Sequence, residues 1–182
     1  MTEKSTDPEW LKKARTFLGV SEIPGPKHNP IIVGWRKKLG SWMQNDEDPY
    51  CGDFIAMLMQ ECGLPYPGNY FRARAWESYG ARLQTDRLSP GAIMVFWRES
   101  PHSTKGHVGL YVSEDPANYH ILGANQPARD KTGKLISTGT VNIIRIPKVR
   151  LTASRWPRGQ PVLGSPVFRT ARQFLETTGN EA

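Results

Sequence analysis

Cysteine is scarce in this 182-residue chain, which has only Cys51 and Cys62. On one helix the two would lie about 16 Å apart along its axis, too far to bond to each other. A disulfide scaffold is excluded, and the chain is expected to be reduced when made. Apolar runs are short too, none nearing the roughly 18 residues of a membrane span. The opening residues, Met1-Thr-Glu-Lys-Ser-Thr-Asp, hold no apolar signal-peptide core, so synthesis in the cytoplasm without a visible export signal is expected. Acidic residues are outnumbered, 17 against 24 Lys and Arg, for a net charge of +7. That balance favours an anionic partner such as a nucleic acid, an anionic lipid or a cell-wall polymer. The basic residues are not interleaved with aromatics in the manner of a nucleic-acid module, so nucleic acid is not the expected partner. No internal repeat is present.

What is there centres on Asp48-Pro-Tyr-Cys51-Gly-Asp-Phe-Ile-Ala-Met-Leu-Met59. Phe54, Ile55, Leu58, Met59 and Cys62 follow helical spacing, and Gly63 with Pro65 ends the run. Cys51 then falls on the first turn, at the positive end of the helix dipole and beside unpaired N–H groups. A free thiol has a pKa of about 8.5, and a helix N-terminus or an imidazolium lowers it. Cys51 is the candidate nucleophile, with its own N–H, Gln44 and Tyr50 as candidates to bind a developing oxyanion. Cys62 is expected in the core.

Before this helix, Asp7-Pro8 predicts a helix start with Trp10, Leu11, Ala14, Phe17 and Leu18 inward, ending at Gly19. Asn29-Pro30 predicts a second helix to about Leu39, with Ile31, Ile32 and Trp35 inward. The acidic stretch 45–48 is expected to be solvated, and His28 to serve a turn. After it, residues 70–80 predict a helix, and β-rich runs cover 92–97, 107–112, 119–124 and 140–147. Helices followed by consecutive strands argue an α+β fold with an antiparallel sheet. The segment from Arg150 is rich in Arg and Pro, and Ser165-Pro166 predicts a short amphipathic helix carrying Val167, Phe168, Ala171, Phe174 and Leu175. The expected division is therefore a catalytic domain over 1–149 and an extension over 150–182, in a monomeric chain.

The runs at 107–112 and 119–124 read as a hairpin. If Ser113 pairs with Tyr119, then Leu110 faces Leu122, Gly109 faces Gly123 and His107 faces Asn125. Directly opposed side chains share a face about 4.5–5.5 Å apart. The two glycines would leave room for the Cys51 helix to approach. His107 would then take the thiol proton, and Asn125 would hold the imidazole in the required tautomer. The residues alone more readily admit Cys51 as a small buried hydrophobe and His107 as an ordinary strand residue. His102, His107 and Cys51 lack recognised metal spacing, so neither a metal site nor a cofactor is expected.

Four motifs occur in order: Tyr50-Cys-Gly-Asp-Phe54, Pro90-Gly-Ala-Ile-Met-Val-Phe96, Gly106-His-Val-Gly109 and Leu122-Gly-Ala-Asn-Gln126. With Trp10-Leu11 through His28-Asn29-Pro30, they resemble the CHAP and NlpC/P60-related cysteine amidases, in particular a small phage and bacterial branch, over about residues 8–147. The resemblance implies a papain-like α+β fold and cleavage of amide bonds in bacterial peptidoglycan. It carries the nucleophile onto Cys51, the base onto His107 and the orienting residue onto Asn125, with Gln126 as a cleft candidate. Where some members have an acidic third residue, this chain has Gly123. The implied enzyme is endolysin-like, reaching the wall through a holin. The alternatives are an exported antibacterial effector with an immunity protein, or an inactive domain that binds the wall or a partner.

Overall fold

The computed structural model describes residues 7–170 and 173. Helices α1 (Glu9–Arg15), α2 (Pro30–Lys38) and α3 (Cys51–Glu61) precede the strands β1 (Ala81–Arg82), β2 (Ile93–Trp97), β3 (Gly106–Glu114), β4 (Asn118–Arg129), β5 (Leu135–Pro147) and β6 (Leu151–Trp156). The strands form one six-stranded antiparallel sheet in the order β1-β6-β2-β3-β4-β5. The fold is α+β, with the N-terminal helices packed on the sheet.

Helix α3 is the hub, because every residue from Cys51 to Met59 is buried. An amphipathic helix hides one stripe, whereas this one is covered on all sides. The sheet covers it through β3 and β4, while α1 and α2 cover it from the other side. Phe17, Trp35 and Phe54 form an edge-to-face and tilted aromatic cluster where the three helices meet, with ring centroids 5.1–6.1 Å apart. Asn29 caps α2, accepting from the N–H of Ile31. Ile31, expected inward, is exposed instead. Helix α1 starts one residue later than expected. Pro8 is its cap, and the Asp7 carboxylate pairs with Arg15. Residues 73–78, expected within a longer helix, form a 3-10 helix whose Trp76 donates its indole N–H to the Tyr70 carbonyl.

The domain boundary expected near residue 150 does not divide the structure. Leu151–Trp156 lies inside the sheet, between β1 and β2. Its alternation was hidden by Thr152, Ser154 and Arg155, which sit among only a few apolar residues. Beyond it, Ser165–Thr170 is extended rather than helical. Glu114 pairs with Phe168 in a parallel bridge, and the N–H groups of Glu114 and Arg169 donate to the carbonyls of Val167 and Glu114. This pairing at the end of β3 satisfies part of the backbone that a helix would have satisfied internally. The rest of the expected helix, Ala171, Phe174 and Leu175, lies outside the described residues. No helix among the described residues is long and apolar enough to cross a membrane.

Candidate active site

Cys51 opens α3, and Arg36 and Asp46 hold the loop before it. Arg36 is fully buried and reaches from α2 to the carbonyls of Asn45, Asp48 and Pro49 and to the Asp53 carboxylate. A guanidinium has five donors and no acceptor, so it suits a cluster of carbonyls around one carboxylate. Asp46 is equally buried, where solvation was expected. It accepts from the N–H groups of Ile23 and Asn29 and is hydrogen-bonded to His28 Nδ1 at 2.9 Å. Burial would raise its pKa, but these donors hold it below the ordinary carboxylate value. The short acidic stretch thus ties two loops together. Gly52 is required by packing, since a Cβ there would collide with the Tyr70 carbonyl oxygen.

The Cys51 thiol is 4% exposed and lies against the backbone N–H of Val108, the residue after His107. Burial raises its pKa, and the Arg98 charge and the Val108 and Gly52 N–H groups only partly oppose this. The lowering expected from the helix terminus therefore does not prevail, and the resting form is the thiol.

His107 is 2% exposed, and its two ring nitrogens have distinct partners. Nε2 lies 2.8 Å from Gln126 Oε1, and Nδ1 lies 3.3 Å from Arg98 Nη2. The tautomer follows from two independent ends. The Pro127 carbonyl can only accept, so Asn142 turns its amide N–H toward it at 3.0 Å. Asn142 Oδ1 then faces Gln126, whose Nε2 donates to it at 2.8 Å and to the Asn142 carbonyl at 2.7 Å. That leaves Gln126 Oε1 for the histidine, so His107 Nε2 carries the hydrogen. At the other edge, Arg98 can only donate, so Nδ1 holds the lone pair. Burial, with Arg98 and Arg150 nearby, pushes the His107 pKa down to about 3 against the opposing Gln126 bond. The ring is neutral at neutral pH, with its basic edge at Nδ1.

The residue beside His107 is therefore Gln126, where Asn125 was expected. The hairpin register holds at Leu110–Leu122 and Tyr111–Ile121, but Ser113 pairs with His120 and Glu114 with Tyr119, across an irregularity at Val112. Further along β4, Gly123 faces Asn142 of β5, and Gln126 faces Thr140. Three steps on β4 match two on β5, so one extra residue is bulged out. Asn125 takes the strain in a left-handed conformation, φ 56°, which Asn tolerates better than most residues. The bulge turns Gln126 onto the face that Asn125 would have occupied.

Gly123 completes the exchange. A Cβ there would lie 3.3 Å from His107 Nε2 and 2.8 Å from Gln126 Oε1. The room left by this glycine holds Gln126, not the Cys51 helix as expected. The sequence signal was available in Gly-Ala-Asn-Gln, where an Asn that tolerates positive φ precedes a Gln.

Of the oxyanion candidates, Tyr50 is buried at the cap of α3 with its phenol facing the backbone N–H of Asn125, and burial raises its pKa well above the ordinary value. That phenol has no well-formed hydrogen bond. Gln44 is exposed and donates to the Ser41 carbonyl, so the structure gives it no contact with the site. His102 lies exposed in the β2–β3 loop, and no cluster of three metal-ligating side chains forms among the described residues.

No protein-family model and no curated protein matches the chain. Among solved structures, it is similar to the crystal structure of a wild-type endolysin, LysIME-EF1, at 14% identity and a TM-score of 0.48. That alignment covers 83% of this chain, which spans 64% of the endolysin chain's length.

Proposed function

We propose that the chain is a cysteine amidase that hydrolyses an amide bond of bacterial peptidoglycan, with Cys51 as nucleophile, His107 as base and Gln126 as the residue that positions the imidazole. The observation that carries this reading is the defined tautomer of His107. The ring is buried and neutral, held at Nε2 by an amide and basic at Nδ1, and the buried thiol that opens α3 lies against the backbone N–H of the next residue, Val108. The ordered motifs that resemble the CHAP and NlpC/P60-related amidases supply the substrate class. The basic surface suits an anionic wall.

In the reaction, the thiol proton passes to His107 Nδ1 as sulfur attacks the carbonyl carbon. The developing oxyanion is received by N–H groups at the start of α3. Collapse breaks the C–N bond, and the imidazolium returns the proton to the leaving amine. Water, deprotonated by the same nitrogen, then cleaves the thioester and releases the acid and the thiol. The neutral ground state suits this route, because proton and bond transfer occur together without a standing ion pair. Gln126 keeps Nε2 engaged in both protonation states. Entry to the wall is by a holin, as for an endolysin, or by secretion, as for an antibacterial effector.

Digestion of purified sacculi tests the reading. Wild type and Cys62→Ser should release fragments whose masses identify the bond, while Cys51→Ala and His107→Ala release none. Equal release by Cys51→Ala would end the thiol mechanism. Binding of sacculi without release by wild type would favour an inactive wall-binding domain.

A further inference from the structure

Several arginines of the fold have a carboxylate partner. Arg36 pairs with Asp53, Arg74 with Glu77 and Arg145 with Asp115. Arg98 and Arg150 do not. Arg98, at the end of β2, has its hydrogen bond at His107 Nδ1. Arg150, just before β6, donates from Nε and Nη2 to the Trp97 carbonyl at 3.1 and 2.9 Å, and its guanidinium lies 5.5 Å from the Trp97 ring centroid. No carboxylate pairs with either guanidinium among the described residues. The two charges are close enough to repel, and Arg98 also acts on Cys51. Like charges held together without an anion cost free energy that an anion would recover.

We propose that Arg98 and Arg150 form a carboxylate subsite beside Cys51 and His107, and that the occupant is a peptide carboxylate next to the amide to be cleaved. The subsite rests on the reading of Cys51 and His107 as the reacting pair. It also explains why Arg98 covers the basic edge of His107. With the subsite empty, Arg98 donates to Nδ1 and occupies the lone pair that must accept the thiol proton. A substrate carboxylate takes the guanidinium in a bidentate pair, the better partner for that fork. Nδ1 is then free, so the base becomes available when substrate is in place. A planar fork is needed for both contacts, and Lys is not equivalent.

Paired alkylation of Cys51 tests the subsite without any wall substrate. Iodoacetate carries a carboxylate and iodoacetamide does not, so the ratio of their rates removes the thiolate fraction, which is common to both. Rates are read by mass spectrometry on the Cys51 peptide, with Cys62 in the same sample as the reference for native fold. The expected result is a Cys51 ratio that falls about tenfold or more in Arg98→Gln/Arg150→Gln, with Cys62 reactivity unchanged, and falls less in Arg98→Lys. A ratio within about twofold of wild type overturns the subsite.

Should Cys51 resist both reagents, acetate is titrated while the Nδ1 nitrogen resonance of His107 is followed. A saturable shift that is lost in the double variant supports the proposal, and no shift in wild type overturns it. A wild type inert on sacculi but selective for iodoacetate would retain the subsite and discard the wall substrate.

Discussion

Gln126→Glu places a charge at a defined distance from a defined ring nitrogen. Oε1 lies 2.8 Å from His107 Nε2, which puts the centres of a carboxylate and an imidazolium about 4.5 Å apart. At an effective dielectric of about 20, the attraction is roughly 4 kcal/mol, or about 3 pKa units. The His107 pKa should therefore rise from about 3 toward roughly 6. The new carboxylate also sets an oxygen against two acceptors, the Asn142 carbonyl and Oδ1, where Gln126 donated. That mismatch should cost about 1–3 kcal/mol of stability. The assay is an NMR titration of the His107 ring in a Cys51→Ala background, which removes the thiol from the curve. In the Cys51 protein, iodoacetamide should alkylate the site faster at pH 7, because the imidazolium–thiolate pair is now within reach. A folded variant whose His107 still titrates near the wild-type value would refute the Gln126–His107 contact and the tautomer drawn from it.

Other outcomes follow from the same contacts. Arg36→Met leaves the Asp53 charge buried and three loop carbonyls without their donor, so urea unfolding should show a loss of about 3–5 kcal/mol; adding Asp53→Leu should restore much of it. Gly52→Ala must move the Tyr70 backbone, and a loss of about 1–3 kcal/mol with slower Cys51 alkylation is expected. His107 titrates near 6.5 when unfolded and about 3 when folded. Its contribution is thus neutral above about 6.5, and stability falls by roughly 1.4 kcal/mol per unit as pH drops from there toward 3; His107→Gln should flatten that slope in urea titrations. Asp115 acts at lower pH. Burial would raise its pKa, but His120, the Ala117 N–H, Asn118 and Arg145 hold it well below the ordinary value. It stabilises above about pH 4, and that share is lost on further acidification; Asp115→Asn should remove this acid-sensitive share.

Much of the architecture was legible because it rests on short-range patterns. Asn29-Pro30 and Gly63 bracket helices where the backbone demands it, and the runs at 92–97 and 107–112 are apolar enough to name themselves as strands. Thr152 to Arg155 could not be recognised as a sheet strand, because its neighbours β1 and β2 are supplied by residues far earlier in the chain. The ordered motifs singled out Cys51 and His107, whereas spacing alone admitted other roles for both. The residue beside His107 was not legible, since its identity depends on one irregular step in β4 that alternation alone cannot reveal. The depressed basicity of His107 was also invisible, because it comes from burial and from Arg98 and Arg150, which a hairpin diagram does not contain.

The irregular step in β4 behaves like a one-residue insertion. Removing Asn125 from the chain would leave Gly123, Ala124 and Gln126 in unbroken succession opposite Asn142, Val141 and Thr140 of β5. Gln126 would then occupy by ordinary alternation the place it now reaches through the bulge. The polar partner of the histidine would survive the deletion, while the backbone N–H facing Tyr50 would not. Insertions and deletions at this point can therefore change which residue number serves the histidine without changing the chemistry it receives. Comparisons made position by position would record a lost residue where the contact has only been renumbered.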